Sequence, residues 1–372
     1  MQNNNKLIRR ITMNSKNLFL VNTPYQLMLV INMVLEVFNK EENDIIITNR
    51  IADNSKLGKR LEDSGIFEKV FLINIDEEIR ENDVFQIFKE RLVPSKFKYL
   101  REKYDRFMFA NLNHSVSAIF RVLKKDNPDI QVQIFEDGYA TYSEYYGDYF
   151  KIYTENSKDW KKVLRKWYHC FVDEIFLKID TLYVLNPEVM TYNTYFNIKK
   201  MPAIDCNNKD LINIYNLIFE YNESVDSYSQ KIIFFEESYY ADGYNCNDIE
   251  IVEKIAKIVG KENLFIKIHP RNPKNRFKEL GYKTNTNTSI PWEVIAMNMD
   301  LSKKILLSIA SVSVLTPSTM LGKQYEGVLL MNVISDKSFL KQNITCLYEN
   351  VCGNYENLHV IENYKELDNI II

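Results

Sequence analysis

Residues 18–26 run Leu18-Phe19-Leu20-Val21-Asn22-Thr23-Pro24-Tyr25-Gln26. Four successive apolar residues without polar alternation are the pattern of a strand buried on both faces. Asn22-Thr23-Pro24 stops the run, and Tyr25 to Phe38 continues with the apolar spacing of a helix. A buried strand that feeds a helix opens a β-α-β unit, hence a parallel sheet covered on both faces. Outward from this start, Ile45–Thr48, Val70–Ile73, Arg106–Ala110 and Val132–Phe135 read as further strands. The same grammar restarts at the strand Ile232–Phe235. It goes on through a helix over Asp248–Val259, a strand over Leu264–Ile268, a helix opened by Pro291, and strands over Ile305–Ile309 and Val328–Val333. Lys199-Lys200-Met201-Pro202-Ala203 and the polar Asn207-Asn208-Lys209 separate the two series and read as a linker. The expected architecture is α/β: a flexible leader over 1–16 and two doubly wound Rossmann-like domains, 17–203 and 204–372, facing a central cleft.

The 372 residues are ample for two cores. A hydrophobic fraction of 46% with 26% charged residues places the chain among ordinary globular proteins. The formal net charge of −3 carries no footprint for nucleic acid. Five cysteines (170, 206, 246, 346 and 352), odd in number and without a CxxC pair, read as reduced thiols. Four histidines, none at ligand spacing from a cysteine pair, argue against a zinc site. The apolar run Leu18–Val21 is too short for a signal-peptide core or a membrane span. The expected location is therefore the cytoplasm, with any membrane contact peripheral. Trp160 to Phe171, carrying Lys161, Lys162, Arg165 and Lys166, is a solvated helix face in the plain reading and a membrane-surface or homodimer contact in the functional one.

Chemistry concentrates at strand ends. Glu136-Asp137-Gly138 closes the strand Val132–Phe135. The glycine allows a tight turn, and two adjacent carboxylates are a means of raising one pKa toward that of a base. An isolated Glu-Asp-Gly is more often a solvated turn. Lys267-Ile268-His269-Pro270-Arg271 ends the strand Leu264–Ile268, and Pro270 stops it. A histidine between two cations suits a phosphate, though a histidine capping a turn is as common. The hydroxyls Ser308, Ser311, Ser313, Thr316, Ser318 and Thr319 follow or lie within Ile305–Leu315. Either the strand ends near Ile309 and Ser311 and Ser313 lead into a helix, or it runs to Leu315 and Thr316-Pro317-Ser318-Thr319 is the cap. Asn22-Thr23-Pro24-Tyr25-Gln26 occupies the first β-α turn, with Asn22, Thr23 and Gln26 as candidate ligand contacts. Glu236-Glu237 and Asp242-Gly243 follow the strand Ile232–Phe235 and add a further acidic group.

In this order, Glu136-Asp137-Gly138, His269-Pro270 and Ser311-Val312-Ser313 resemble the D/E-D/E-G, His-Pro and Ser/Thr motifs of bacterial sialyltransferases. Val312 interrupts the last of them. The opening Phe19–Gln26 is similar to that of glycosyltransferase family 52, which holds lipooligosaccharide and capsule sialyltransferases. The resemblance implies a GT-B-like, metal-independent, inverting enzyme without cofactor, which transfers sialic acid from CMP-sialic acid to a terminal sugar, galactose first, of a bacterial surface glycan. The first domain then takes the acceptor and the second the nucleotide sugar. His269, with Lys267, Pro270, Arg271 and the Ser/Thr set, would meet the CMP phosphate. An acid would deprotonate the acceptor: Glu136 or Asp137 by preference, because they sit on the domain opposite the donor, with Asp242 kept beside them. The rivals are a same-fold transferase of another nucleotide sugar, such as a glucosyltransferase, and a non-catalytic nucleotide- or glycan-binding protein.

Overall fold

The computed structural model describes residues 15–75, 97–144, 146–147, 160, 163, 174–194, 196–222, 227–244 and 246–371. The chain divides into two compact units. One comprises Met1–Thr141, Tyr145–Pro187 and Tyr192–Pro202, the other Tyr142–Glu144, Glu188–Thr191 and Ala203–Ile372.

The first unit runs β1 (Lys16–Val21), α1 (Pro24–Glu36), β2 (Glu42–Thr48), α2 (Asn54–Ser64), β3 (Lys69–Ile73), β4 (Arg106–Phe109), α3 (His114–Asp126), β5 (Gln131–Phe135), α4 (Ile175–Lys178), β6 (Ile179–Val184) and β7 (Asn197–Lys200). Its seven strands pair in the order β3-β2-β1-β4-β5-β6-β7, with every pairing parallel. Leu18, Phe19, Leu20 and Val21 are buried, as the unbroken apolar run requires of a central parallel strand. Pro24 stands in the first turn of α1, and Thr23 caps it by accepting the Gln26 N–H.

The second unit runs α5 (Lys209–Phe219), β8 (Ile232–Phe235), α6 (Asp248–Val259), β9 (Leu264–Lys267), α7 (Arg276–Glu279), β10 (Lys283–Thr284), α8 (Trp292–Met297), β11 (Ile305–Ser308), α9 (Thr316–Thr319), β12 (Glu326–Leu329), α10 (Gln342–Gly353), β13 (Leu358–Val360) and α11 (Tyr364–Ile371). Its parallel sheet has the order β10-β9-β8-β11-β12-β13. In each sheet the strand order reverses beside the first strand of the unit, β1 or β8. Such switch points open a crevice at the strands' carboxyl ends.

Three details differ from the sequence reading. The strand expected over Val328–Val333 is β12. It ends at Leu329, where its ladder with β11 ends, and residues 331–333 form a turn. Part of the stretch read as linker is strand: β7 pairs with β6 over Asn197–Lys200. Lys16, read as the last leader residue, opens β1, where its backbone N–H donates to Asp105 at 2.8 Å. The rest of the leader (1–14) lies outside the described residues, as do Lys161, Lys162, Arg165, Lys166 and Cys170. The other four cysteines are free thiols. Among the described residues no helix is long and apolar enough to cross a membrane.

Candidate active site

In the first unit the site is built on the carboxyl ends of β1, β4 and β5. Glu136 and Asp137 are neighbours in sequence but take different partners. Glu136 is 1% exposed. Its Oε1 accepts the Tyr25 hydroxyl at 2.6 Å and its Oε2 the Leu185 N–H at 2.8 Å. Asp137 is half-buried; Oδ1 accepts from the Gln26 side-chain amide at 2.5 Å and Oδ2 from that of Asn111. Gln26 is itself fixed, its Oε1 accepting the Asn22 N–H at 2.7 Å and its amide lying 2.6 Å from Asn111 Oδ1. Asn22 is in turn held by the Thr48 hydroxyl at 2.9 Å. Gly138, at φ +70°, turns the chain so that Asp137 N–H reaches Thr141 Oγ1 at 2.8 Å. Glu136 thus ties α1 to the residue that follows β6, whereas Asp137 is oriented by two neutral side-chain amides. Thr23 serves as a helix cap. Asn111 escaped the sequence reading; the available signal was an amide side chain directly after the apolar run Arg106–Ala110.

In the second unit the site lies at the ends of β8, β9 and β11. His269 follows β9, half-buried. Its N–H donates to Glu236 Oε2 at 3.2 Å, and its Nδ1 accepts the Arg271 N–H at 3.2 Å. Burial first, then the charges of Arg271 and Lys267, push its pKa down to about 4, against the pull of Asp242. Lys267 is a buried last residue of β9, and the exposed Pro270 turns the chain away. The exposed Arg271 pairs with Asp242 at 3.2 Å and reaches Ser238 Oγ at 2.6 Å, while Ser238 also donates to Asp242 at 2.8 Å. Asp242 is therefore committed to a cation.

The strand β11 ends at Ser308, so the first of the two placements of the hydroxyls holds. Ser311 caps a single 3-10 turn over Val312–Val314 by accepting the Ser313 N–H at 3.3 Å. Both serines are half-buried. Thr316, Ser318 and Thr319 face the interior. Thr316 donates to Glu293 at 2.9 Å, Ser318 to the Lys323 carbonyl at 3.1 Å, and Thr319 to the Leu315 carbonyl at 3.1 Å. Burial holds the Glu293 carboxyl above the usual range, against the Thr316 hydrogen bond and the Lys267 charge. The second unit thus gathers Lys267, His269, Pro270, Arg271, Asp242, Ser311 and Ser313 at adjacent strand ends, and leaves Thr316, Ser318 and Thr319 in its core. Among the described residues, no group of three or more His, Cys, Asp or Glu could hold a metal ion.

Solved structures share the architecture. An α/β-galactoside α-2,3-sialyltransferase from the luminous marine bacterium Photobacterium phosphoreum superposes with a TM-score of 0.55 at 12% identity, over 94% of this chain and 99% of that one. LpCGTa in complex with UDP gives 0.51 at 7% identity, over 96% and 89%. The UDP-GlcNAc 2-epimerase of Methanocaldococcus jannaschii gives 0.50 at 15% identity, over 96% and 91%. These likenesses establish the fold, the two-unit Rossmann-like GT-B class. No curated protein matches the sequence. A family model does, over residues 17–324, and its description is alpha-2,8-polysialyltransferase (POLYST), which bears out a sialyltransferase without naming the family 52 of the sequence resemblance. With most of its length matched, the chain belongs to the alpha-2,8-polysialyltransferase family, and it is a glycosyltransferase of sialic acid.

Proposed function

We propose that this enzyme transfers sialic acid from CMP-sialic acid, with inversion, to the terminal sugar of a bacterial surface glycan. The family match over residues 17–324 carries the reading. The family's description favours a terminal sialic acid as acceptor, whose 8-hydroxyl attacks the anomeric carbon of the donor and displaces CMP. Galactose, expected from the sequence resemblance, is the second reading. The likeness of Phe19–Gln26 to family 52 openings fits a capsule or lipooligosaccharide product.

The residues suit this chemistry. CMP departs as a phosphate monoester whose developing charge needs donors. His269 with Nδ1 occupied presents Nε2–H as such a donor, and the Ser311–Ser313 turn adds hydroxyls. Asp137 takes the acceptor proton. The transition state is oxocarbenium-like, and the protein mainly orients the partners and removes one proton.

The deciding experiment incubates purified enzyme with CMP-sialic acid, UDP-glucose and UDP-galactose, and reads nucleotide release. It is run without acceptor, with a sialyl-terminated oligosaccharide and with a galactosyl-terminated one. CMP release that rises only with the sialyl acceptor is expected. UDP release would mean a transferase of another sugar, and no release of any nucleotide a binding protein. Peripheral membrane association and homodimerisation, suggested by the basic stretch Trp160–Phe171, are read by vesicle flotation and by sedimentation.

A further inference from the structure

The two acidic residues that follow β8 touch no candidate substrate position, yet they reach in opposite directions. Strand β8 lies between β9 and β11 in the sheet. The Glu236 side chain turns toward the end of β9. Oε2 accepts the His269 N–H at 3.2 Å, while Oε1 accepts from Arg276 at 2.9 Å, and Arg276 also binds Asp248. The Glu237 side chain turns toward the end of β11. Its Oε1 accepts the Ala310 N–H at 2.5 Å and lies 2.9 Å from Ser308 Oγ. The Glu237 carbonyl accepts from Asn272 at 2.9 Å, which binds the loop carrying Pro270 and Arg271 as well. Each carboxylate therefore fixes the backbone just ahead of one group proposed to receive the leaving phosphate: His269 on one side, Ser311 and Ser313 on the other.

We propose that Glu236 and Glu237 are a two-armed positioning pair, which holds His269 and the Ser311–Ser313 turn in register across β8. The proposal rests on the reading of these strand ends as the donor site. Both act through other residues, so their loss should appear only where those residues act. Removing a carboxylate that accepts a backbone N–H, buried at Glu236 and half-buried at Glu237, takes that donor's partner away. Glutamine keeps the acceptor oxygen and alanine does not.

The test measures kcat and donor KM for wild type, Glu237→Gln, Glu237→Ala, Ser311→Ala/Ser313→Ala, and the triple variant combining Glu237→Ala with both serine changes. Glu236→Ala and Glu236→Gln variants are set against His269→Ala in the same way, and thermal melting checks each fold. We expect Glu237→Ala to raise donor KM about tenfold and Glu237→Gln to restore it to within about threefold. The triple variant should be no worse than the serine double variant, because a residue acting through the turn has nothing left to position. Glu236→Ala should lower kcat with donor KM retained, and Glu236→Gln should lose less. Multiplying effects in the triple variant, or an unchanged donor KM in a folded Glu237→Ala protein, overturns the proposal. If the serine double variant and His269→Ala are themselves indistinguishable from wild type, the donor-site reading has failed instead.

Discussion

The Nδ1 atom of His269 accepts a hydrogen bond from the Arg271 backbone N–H, 3.2 Å away. An imidazole nitrogen that accepts carries no proton, so the ring is neutral with its hydrogen on Nε2. Burial and the nearby cations push the pKa from 6.5 down to about 4. We predict an NMR titration of the His269 ring with a midpoint near pH 4 in the ligand-free enzyme, absent from His269→Ala. The unfolded chain protonates this histidine at a higher pH than the folded one. Its contribution to stability is thus complete above about pH 6.5 and is lost as pH falls toward about 4. A midpoint at or above 6.5 would contradict the geometry.

His269→Ala should cut turnover by about a hundredfold or more, the scale of a lost electrostatic donor. The measurement is initial-rate CMP release at saturating donor and acceptor. Turnover close to wild type would remove the ring from the mechanism.

Asp137→Asn should lower kcat by about a hundredfold or more while CMP-sialic acid affinity stays within about twofold, because a base acts only in the transition state. Calorimetric binding beside steady-state rates makes the comparison. Asp242→Asn serves as the control: its carboxylate is paired with Arg271. If only Asp242→Asn shows the pattern, the base lies in the second unit.

Glu136→Ala should behave differently again. It strips a buried acceptor from the Tyr25 hydroxyl and the Leu185 N–H, at a cost of about 1–3 kcal/mol in denaturant unfolding. Glu136→Gln, which keeps one acceptor oxygen, should lose less. Equal stability of Glu136→Ala and wild type would contradict the anchoring role.

Transfer should survive excess EDTA, since His269, Arg271 and the serine turn are the groups proposed to meet the leaving phosphate. A rate that falls with chelator and returns with Mg²⁺ or Mn²⁺ would replace this mechanism by a metal-assisted one.

The central strands were legible because burial on both faces writes an unbroken apolar run. Leu18–Val21 and Ile232–Phe235 are the clearest, and the latter coincides with β8. The outer strands β10 and β13 have two and three residues, too few for any periodicity to show. The end of β12 was misjudged because Leu330 and Met331 are buried although they lie beyond the ladder. An apolar side chain reports burial and not pairing. Within the site, residue types at strand ends were readable, but the division of labour was not. Both carboxylates are engaged on both oxygens, and what sets Glu136 apart is its partners, Tyr25 and Leu185, which lie 111 and 49 residues away. Likewise Ser311 and Ser318 are both hydroxyls near a turn, and only packing turns Ser318 inward.

The place of β1 beside β4 also bears on how the chain is made. Asn17 and Arg106, hydrogen-bonded across that pair, are 89 residues apart. At about 5–20 residues per second, translation leaves β1 without its second neighbour for roughly 5–20 s. During that interval one flank of an apolar strand stays open on the ribosome, and closing so long a loop is slow even once β4 has emerged. The nascent first unit is therefore a natural client for chaperones, and expression at lowered temperature with extra chaperone should raise the soluble yield.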